Sequence, residues 1–387
     1  MSLRLAREEE LEACRDFADK VFQGAGADVD FGSALPKVYA PGSGMAHIHA
    51  LVTDERDSIR AMVGMLPGEL HVGRMVLRTG FIGSVSVHPE DRGRGYMKEL
   101  MAYWLREARA TGVDLLLLGG QRQRYGYFGY GQGGQRWVFH ISARSVRHAL
   151  SGLNADGIRF EPLLPGTPLE AACAALQQRE PVRFGREWTG FAAICRSYER
   201  EVYAALDRSG RLLGCLTVKR EEPDQLSELL AVTDRAMDLI LKAWLTQRSL
   251  TNLWLQMPCW DSRRLRHLRL WAEGTSLSPA WELRVVNHRR VIETLMNLKA
   301  RREQPADGEL PIVVEDEAFL ISVRDGRCKV GDIRHPDGTS EKWLQTLFLT
   351  PRQLNSMLFD PFPGEDIPQG PAGWFPLPLS VPTADEF

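Results

Sequence analysis

Residues Phe81–Lys98 read FIGSVSVHPEDRGRGYMK. The run Phe81–Val87 predicts a strand, and Pro89 ends it, because proline cannot donate to a ladder. A helix is expected from about Arg94, with Met97, Leu100, Met101, Trp104, Leu105 and Ala108 on one face of a 3.6-residue repeat. Between strand and helix, Gly93 and Gly95 let backbone N–H groups approach an anion closely. The helix N-terminus adds unsatisfied donors and partial positive charge, and Arg92 and Arg94 add full charges. Together these features read as a pyrophosphate cradle. A solvated arginine–glycine turn opening a surface helix would contain the same glycines. The dinucleotide fingerprint asks for a third glycine where Lys98 stands, a Walker loop asks for Gly-Lys-Ser/Thr, and RNA-binding arginine–glycine segments come as repeats.

Outward from this stretch, Leu11, Cys14, Phe17, Ala18, Val21 and Phe22 fall at helical spacing. Strands are expected at His47–Thr53, Arg60–Leu66 and Glu69–Leu77. On the other side, Gly112 suits a helix C-cap, Leu115–Leu118 a buried strand, and Trp137–Ile141 one more strand closing the first segment near residue 150. A second segment holds a hairpin, Val202–Asp207 and Leu212–Val218, around Ser209-Gly210. It adds a helix capped by Thr233, burying Ala236, Leu239, Ile240 and Trp244, and a strand at Asn252–Met257. The third begins near residue 286 with a helix through Val291, Leu295, Met296 and Leu298. Short strands follow near Ile312–Val314, Phe319–Val323 and Cys328–Val330. A helix then opens with the capping box Thr350-Pro351…Gln353, ahead of the proline-rich run 361–387.

A chain of 387 residues, 44% hydrophobic and 25% charged, accommodates roughly two or three domains with sizeable cores. A formal net charge of −2 gives no pull toward nucleic acid or an anionic membrane, and no apolar run approaches a membrane span. The charged, amphipathic opening MSLRLAREEELEACRDF is unlike an export signal. The 6 cysteines lie far apart without a CxxC, which speaks against a zinc site or a disulfide framework and for a reducing cytoplasm.

The run V-x-V-x-P-x-x-R-G-x-G at Val85–Gly95 resembles motif A of the GNAT superfamily of N-acetyltransferases, with Met97 where that pattern has a small residue. Tyr125–Gly131, YGYFGYG, resembles the tyrosine-containing turn before the last strands of that fold. With the chain length and the closing …PTADEF, the sequence resembles the enhanced intracellular survival protein family. That resemblance implies a mixed α/β (α+β) architecture of two tandem acetyltransferase-type folds, the second degenerate, and a C-terminal domain like sterol carrier protein. The segments 1–150, 151–285 and 286–387 agree with it in order and size. It implies acetyl-CoA as co-substrate and no metal. Donor contacts fall on Val85, Ser86 and Val87, on Arg92, Gly93, Arg94, Gly95, Tyr96, Met97 and Lys98, and on Gly120 and Gln121. It carries a general-acid tyrosine onto Tyr125 and a general-base role onto the carboxylate of Phe387. It also implies a homo-oligomer, a hexamer, and polyamine-like antibiotics (aminoglycosides) or protein lysines as acceptors.

Elementary chemistry can weigh those roles. An amine attacking a thioester needs a base, oxyanion donors and an acid for the thiolate. Tyr125, with an ordinary pKa of about 10, is protonated at pH 7 and can donate, although Tyr127, Phe128 and Tyr130 beside it also make a packed aromatic turn. The strand Phe81–Val87 carries no acid, and His88 beside Pro89 reads as a loop residue. The carboxylate of Phe387 then stands as base against the reading of a frayed terminus. Asp28 and Asp30 are candidates to face a cationic acceptor. The second segment has Val232–Met237, VTDRAM, at the cradle position, with an acid in the first helical turn and no Gly-x-Gly, and reads as structural. Two function classes follow: an acetyl-CoA-dependent N-acetyltransferase acting in a ternary complex, or a non-catalytic CoA- or lipid-responsive module.

Overall fold

The computed structural model describes residues 1–27, 29–120, 122–186, 190–333 and 346–387. The first part of the chain supplies β1 (Ser2–Leu5), β2 (His49–Thr53), β3 (Ile59–Val72), β4 (Met75–Val87), β5 (Leu115–Leu118), β6 (Gly131–Gly133) and β7 (Arg136–Ser142). The next supplies β8 (Arg159–Pro162), β9 (Val182–Phe184), β10 (Arg200–Leu206), β11 (Leu212–Lys219), β12 (Glu222–Ala231), β13 (Asn252–Met257), β14 (Gly274–Ser278) and β15 (Trp281–Val285).

Among the described residues these strands form two large sheets with one topology. In the first, β1 to β4 run antiparallel in order, β4 pairs parallel with β5, and β15 and β6 complete the edge. In the second, β8, β10, β11 and β12 run antiparallel, β12 pairs parallel with β13, and β7 and β14 complete the edge. The sheets exchange one strand each. The strand expected at Trp137–Ile141 to close the first segment is β7, which pairs with β13 in the second sheet. In return β15, from just before residue 286, fills the place beside β5 in the first. Alternating apolarity shows that a strand exists but not which sheet receives it, so the sequence left β7 with its neighbours.

Helix α1 (Leu11–Gln23) covers one face of the first sheet. Helix α2 (Tyr96–Thr111) covers the other, where Leu100, Met101, Trp104 and Ala108 join Val63, Ile82 and Leu116 in a buried cluster. Gly112 in the left-handed region caps α2, as expected. The break expected after Leu66 does not exist: β3 runs through Pro67, and the turn lies at Gly73-Arg74. Pro67 is tolerated because it falls between the pairing of β3 with β2, which ends at Gly64, and that with β9, which begins at Leu70. In the second sheet, the helix α3 (Asp234–Gln247) is capped by the Thr233 hydroxyl, as expected.

A four-stranded sheet forms the third layer, from Gly308–Val314, Glu317–Arg324, Arg327–Gly331 and Leu347–Leu349. The helix Pro351–Phe359, with its capping box formed, lies on β6. The glycines of β6 permit that approach: a Cβ at Gly133 would stand 2.5 Å from Phe359 Cβ. One apolar core runs from Leu51, Leu70 and Leu77 in the first sheet through Val291 and Leu295 to Ile312, Phe319, Trp374 and Leu377. Segment 286–387 is thereby packed against the first sheet.

Candidate active site

β4 and β5 pair only from Thr79–Leu115 to Ile82–Leu118, after which β4 runs on to Val87 paired with β3 but not with β5. The split has a local cause. Between the pairs Gly64–Gly83 and Met62–Ser86, β4 takes one more residue than β3. That extra residue makes a β-bulge, with Ser84 at φ +50°. A polar chain holds the bulge: Ser84 Oγ to Tyr39 Oη at 2.6 Å, Tyr39 Oη to His49 Nε2 at 3.0 Å, and His49 Nδ1 to the Ala46 carbonyl at 3.1 Å. The carbonyl requires Nδ1–H, so Nε2 accepts from Tyr39, whose oxygen accepts from Ser84. Burial lowers the His49 pKa to about 4, so this imidazole is neutral at pH 7.

Past the split, the His88 N–H donates to the Arg60 carbonyl on β3 at 2.9 Å. Antiparallel alternation then sends the Ser86 N–H to β3 as well and turns the Val87 N–H to the open edge. The expected strand contacts therefore separate: Val85 lines the cleft and Val87 presents a free-edge amide, while Ser86 is buried with its amide on the ladder side.

The loop beyond is pinned from below. Asp91, 1% exposed, accepts from Arg60 Nε at 2.6 Å and pairs with Arg94 at 3.1 Å. Gly93 and Gly95 have φ +82° and +88° with open space where a Cβ would be. They are glycine because of backbone conformation. The helix begins at Tyr96, two residues later than expected, since Gly95 in the left-handed region is its N-cap. The first intrahelical amide on this turn is Glu99 N–H to Gly95 O, and no side chain caps the helix. The Tyr96, Met97 and Lys98 amides thus stand at the positive end of α2. Arg92 and Lys98 are exposed beside them, whereas Arg94 is partly spent on Asp91.

The cleft itself is a cavity of about 340 Å³ whose lining includes Gly83, Ser84, Val85, Gly120, Tyr125 and Phe387. The two residues expected to do the chemistry, 262 positions apart (387 − 125), therefore share one cavity. Gly120, at φ +156°, seats the tyrosine ring: a Cβ there would lie 2.8 Å from Tyr125 Cε2. Burial raises the Tyr125 pKa, partly opposed by Arg124, so the phenol keeps its proton. Phe387 is 7% exposed, which sets aside the frayed terminus. Its ring sits over Gly64, where a Cβ would meet Cε1 at 2.5 Å, and its carboxyl carbon and oxygen sit over Gly83, where a Cβ would meet both at 2.6 Å. Gly64 and Gly83 face each other across β3 and β4, so two paired glycines cut the notch that receives the residue.

Sequence reasoning missed Gly64, Gly83, Asp91 and Lys37. A glycine inside a strand pattern, as at Gly83, is the one available signal, because it marks a bulge or a close approach. Asp30 caps a short helix: its exposed carboxylate accepts from the Gly32 and Ser33 amides and the Ser33 hydroxyl. Asp28 and Gln121 lie outside the described residues. At the cradle position of the second sheet, Asp234 opens α3, as the sequence implied, and it pairs with Arg263 at 2.8 Å.

Glu386, next to the notch, has its pKa raised to about 7 by burial, opposed by Arg136, Arg200 and Lys37 and reinforced by Asp385. A carboxyl whose folded pKa is raised binds more protons folded than unfolded. Its stabilising contribution is complete below the ordinary pKa of 4.5 and is lost as pH rises through about 7. The melting temperature of the Glu386→Gln protein should therefore gain on that of the unmodified protein between pH 4.5 and 7.5. A difference independent of pH would contradict this placement.

Among the described residues no cluster of potential metal ligands occurs, and no helix is long and apolar enough to cross a membrane. Residues 2–133 match the family model of the GNAT acetyltransferase domain. No curated protein matches the chain. Similar solved structures include a GCN5-related N-acetyltransferase from Anabaena variabilis (TM-score 0.64, 17% identity, 92% of this chain and 89% of that one). A GCN5-related N-acetyltransferase from Kribbella flavida has TM-score 0.63, 19% identity and the same coverage of 92% and 89%. Eis1 from Mycobacterium abscessus has TM-score 0.61 and 16% identity over 92% of this chain and 89% of that one. At these identities the likeness is one of fold, and it extends over nearly the whole chain.

Proposed function

We propose, with the GNAT acetyltransferase domain match over residues 2–133 as premise, that this chain moves the acetyl group of acetyl-CoA to a primary amine in a ternary complex. The observation that carries this reading is the split between β4 and β5, where Val85 of the open strand edge, Tyr125 and Phe387 line one cavity. The pantetheine arm would pair with the free edge at Val85 and Val87, as a further strand does. The pyrophosphate would rest on the α2 N-terminus, at the Gly93–Lys98 amides with Arg92 beside them. In this reading the Val87 N–H holds the developing oxyanion, the Phe387 carboxylate takes the proton of the attacking amine, and Tyr125 protonates the departing thiolate.

The acceptor class in this reading is a small amine or a protein lysine. Segment 286–387, packed on the first sheet and ending in the cavity, serves to bring Phe387 there rather than to carry lipid. The cytoplasm and a homo-oligomer remain the expected setting.

Thiol release from acetyl-CoA in the presence of a panel of polyamines, aminoglycosides and lysine peptides tests the proposal. The expected result is release that depends on one amine class. Tight acetyl-CoA binding with no release above hydrolysis would leave the non-catalytic binding module. The cradle is tested separately: Arg92→Glu should weaken acetyl-CoA binding by about 1–3 kcal/mol, the range for a charge-assisted contact. Calorimetry showing wild-type affinity for the folded variant would move the pyrophosphate elsewhere.

A further inference from the structure

The second sheet opens as the first does. β12 and β13 pair at Gln225–Trp254 and Leu226–Leu255, and β12 then runs on to Ala231 without that partner. The space between Ser227–Leu230 and Gln256–Pro258 occupies the position of the first sheet's cleft, yet it encloses only about 70 Å³ against about 340 Å³. The chain's own tail lies along it. Ser380, Val381 and Pro382 line the space, and Ser380 Oγ donates to the Gln135 carbonyl at 2.6 Å and accepts from the Cys259 N–H at 2.9 Å. Ala384, 2% exposed, packs among Cys195, Val202, Ala204 and Leu230.

Two buried cations hold the last turn. Arg186, 5% exposed, grips Asp385 with Nε and Nη2, both at 2.9 Å, and grips Glu228 of β12 with Nη1 at 2.8 Å and Nη2 at 3.0 Å. Lys37, 2% exposed, donates from Nζ to the carbonyls of Ala384 at 2.7 Å and Glu386 at 2.5 Å. Apolar packing alone tolerates sliding by a residue, but a guanidinium forked between two carboxylates fits one register. Removing one partner leaves a buried charge without compensation, so these links act as a unit.

We propose that the cleft of the second sheet is a clamp for the C-terminal segment, with Arg186 and Lys37 as positioning residues that fix where Phe387 stands in the cleft of the first. The clamp is independent of acetyl transfer; only the purpose of that position rests on the reading given above.

Hydrogen exchange over Thr383–Phe387 tests it in the full chain, comparing wild type with Arg186→Met, Asp385→Asn and Lys37→Met. The expected result is exchange about a hundredfold faster in this segment, as local opening follows loss of a buried ion-pair partner. Exchange in β3 and the KM for acetyl-CoA should be unchanged, and kcat should fall at least about tenfold, because only the position of the base has been loosened. Unchanged exchange at Thr383–Phe387 in a folded variant overturns the clamp. Faster exchange with wild-type kcat upholds the clamp and overturns the role given to Phe387. Should Arg186→Met fail to fold, Asp385→Asn and Lys37→Met, each removing a single link, carry the same comparison.

Discussion

Replacing Tyr125 with phenylalanine should lower turnover by about 10²–10⁴-fold while leaving acetyl-CoA affinity close to wild type, the range for loss of a positioned general acid. The ring is packed against Gly120 and within the cluster of Leu118 and Tyr130, and phenylalanine keeps all of that apolar contact. What it removes is one hydroxyl whose proton, with the pKa raised by burial, is retained until the thiolate forms. Turnover would then fall without a matching change in KM for acetyl-CoA, the pattern of an interaction made in the transition state. Tyr127 and Tyr130 serve as controls. Tyr127 is 72% exposed, beside Lys98 at 5.5 Å, and Tyr130 is 3% exposed next to Arg284 rather than in the cavity. Tyr127→Phe should be nearly neutral. Equal losses at Tyr125, Tyr127 and Tyr130 would identify a packed aromatic turn, with no acid in it.

Much of the first sheet was legible because local signals there agree with one another. The 3.6-residue stripe on α2, Gly112 as its cap and the four leucines of β5 each fix an element without reference to the rest of the chain. The cradle could be read for the same reason: Gly93, Gly95 and Arg92 act through local backbone and charge. The missed features all depend on distant partners. The exchange of β7 for β15 joins residues 138 and 256, and 116 and 284, and no local pattern encodes that. The notch needs Gly64 and Gly83 to be opposite each other, which follows from the register of β3 with β4 after the turn at Gly73. Lys37, in a Leu-Pro-Lys-Val run, carries no local signal, yet it is buried against carbonyls more than three hundred residues away. Tyr125 and Phe387 were placed through resemblance to a family, and the physical reason for their meeting appears only once the tail is seen to thread between the sheets.

The second large effect concerns the carboxylate. An α-carboxyl group is ionised at pH 7, with an ordinary pKa of about 3.3–3.7, and is a weak base in water. It is held against Gly83 with its ring seated over Gly64, and Phe387 is 7% exposed at the wall of the cavity. A short extension after Phe387 would turn this carboxylate into a neutral amide and put added chain into the cavity that Phe387 lines. Turnover should then fall by about 10²–10⁴-fold, the contribution of a positioned general base. An equal extension before Met1, which is exposed and precedes the edge strand β1, should have no effect. The direct measurement is thiol release from acetyl-CoA with the preferred amine, comparing the two extended proteins at matched melting temperature and matched acetyl-CoA affinity. Loss confined to the protein extended after Phe387 is the predicted result. Equal turnover of both forms would contradict the account and pass the base to another group on the cleft, the Ser84–Tyr39–His49 chain being the one already in place.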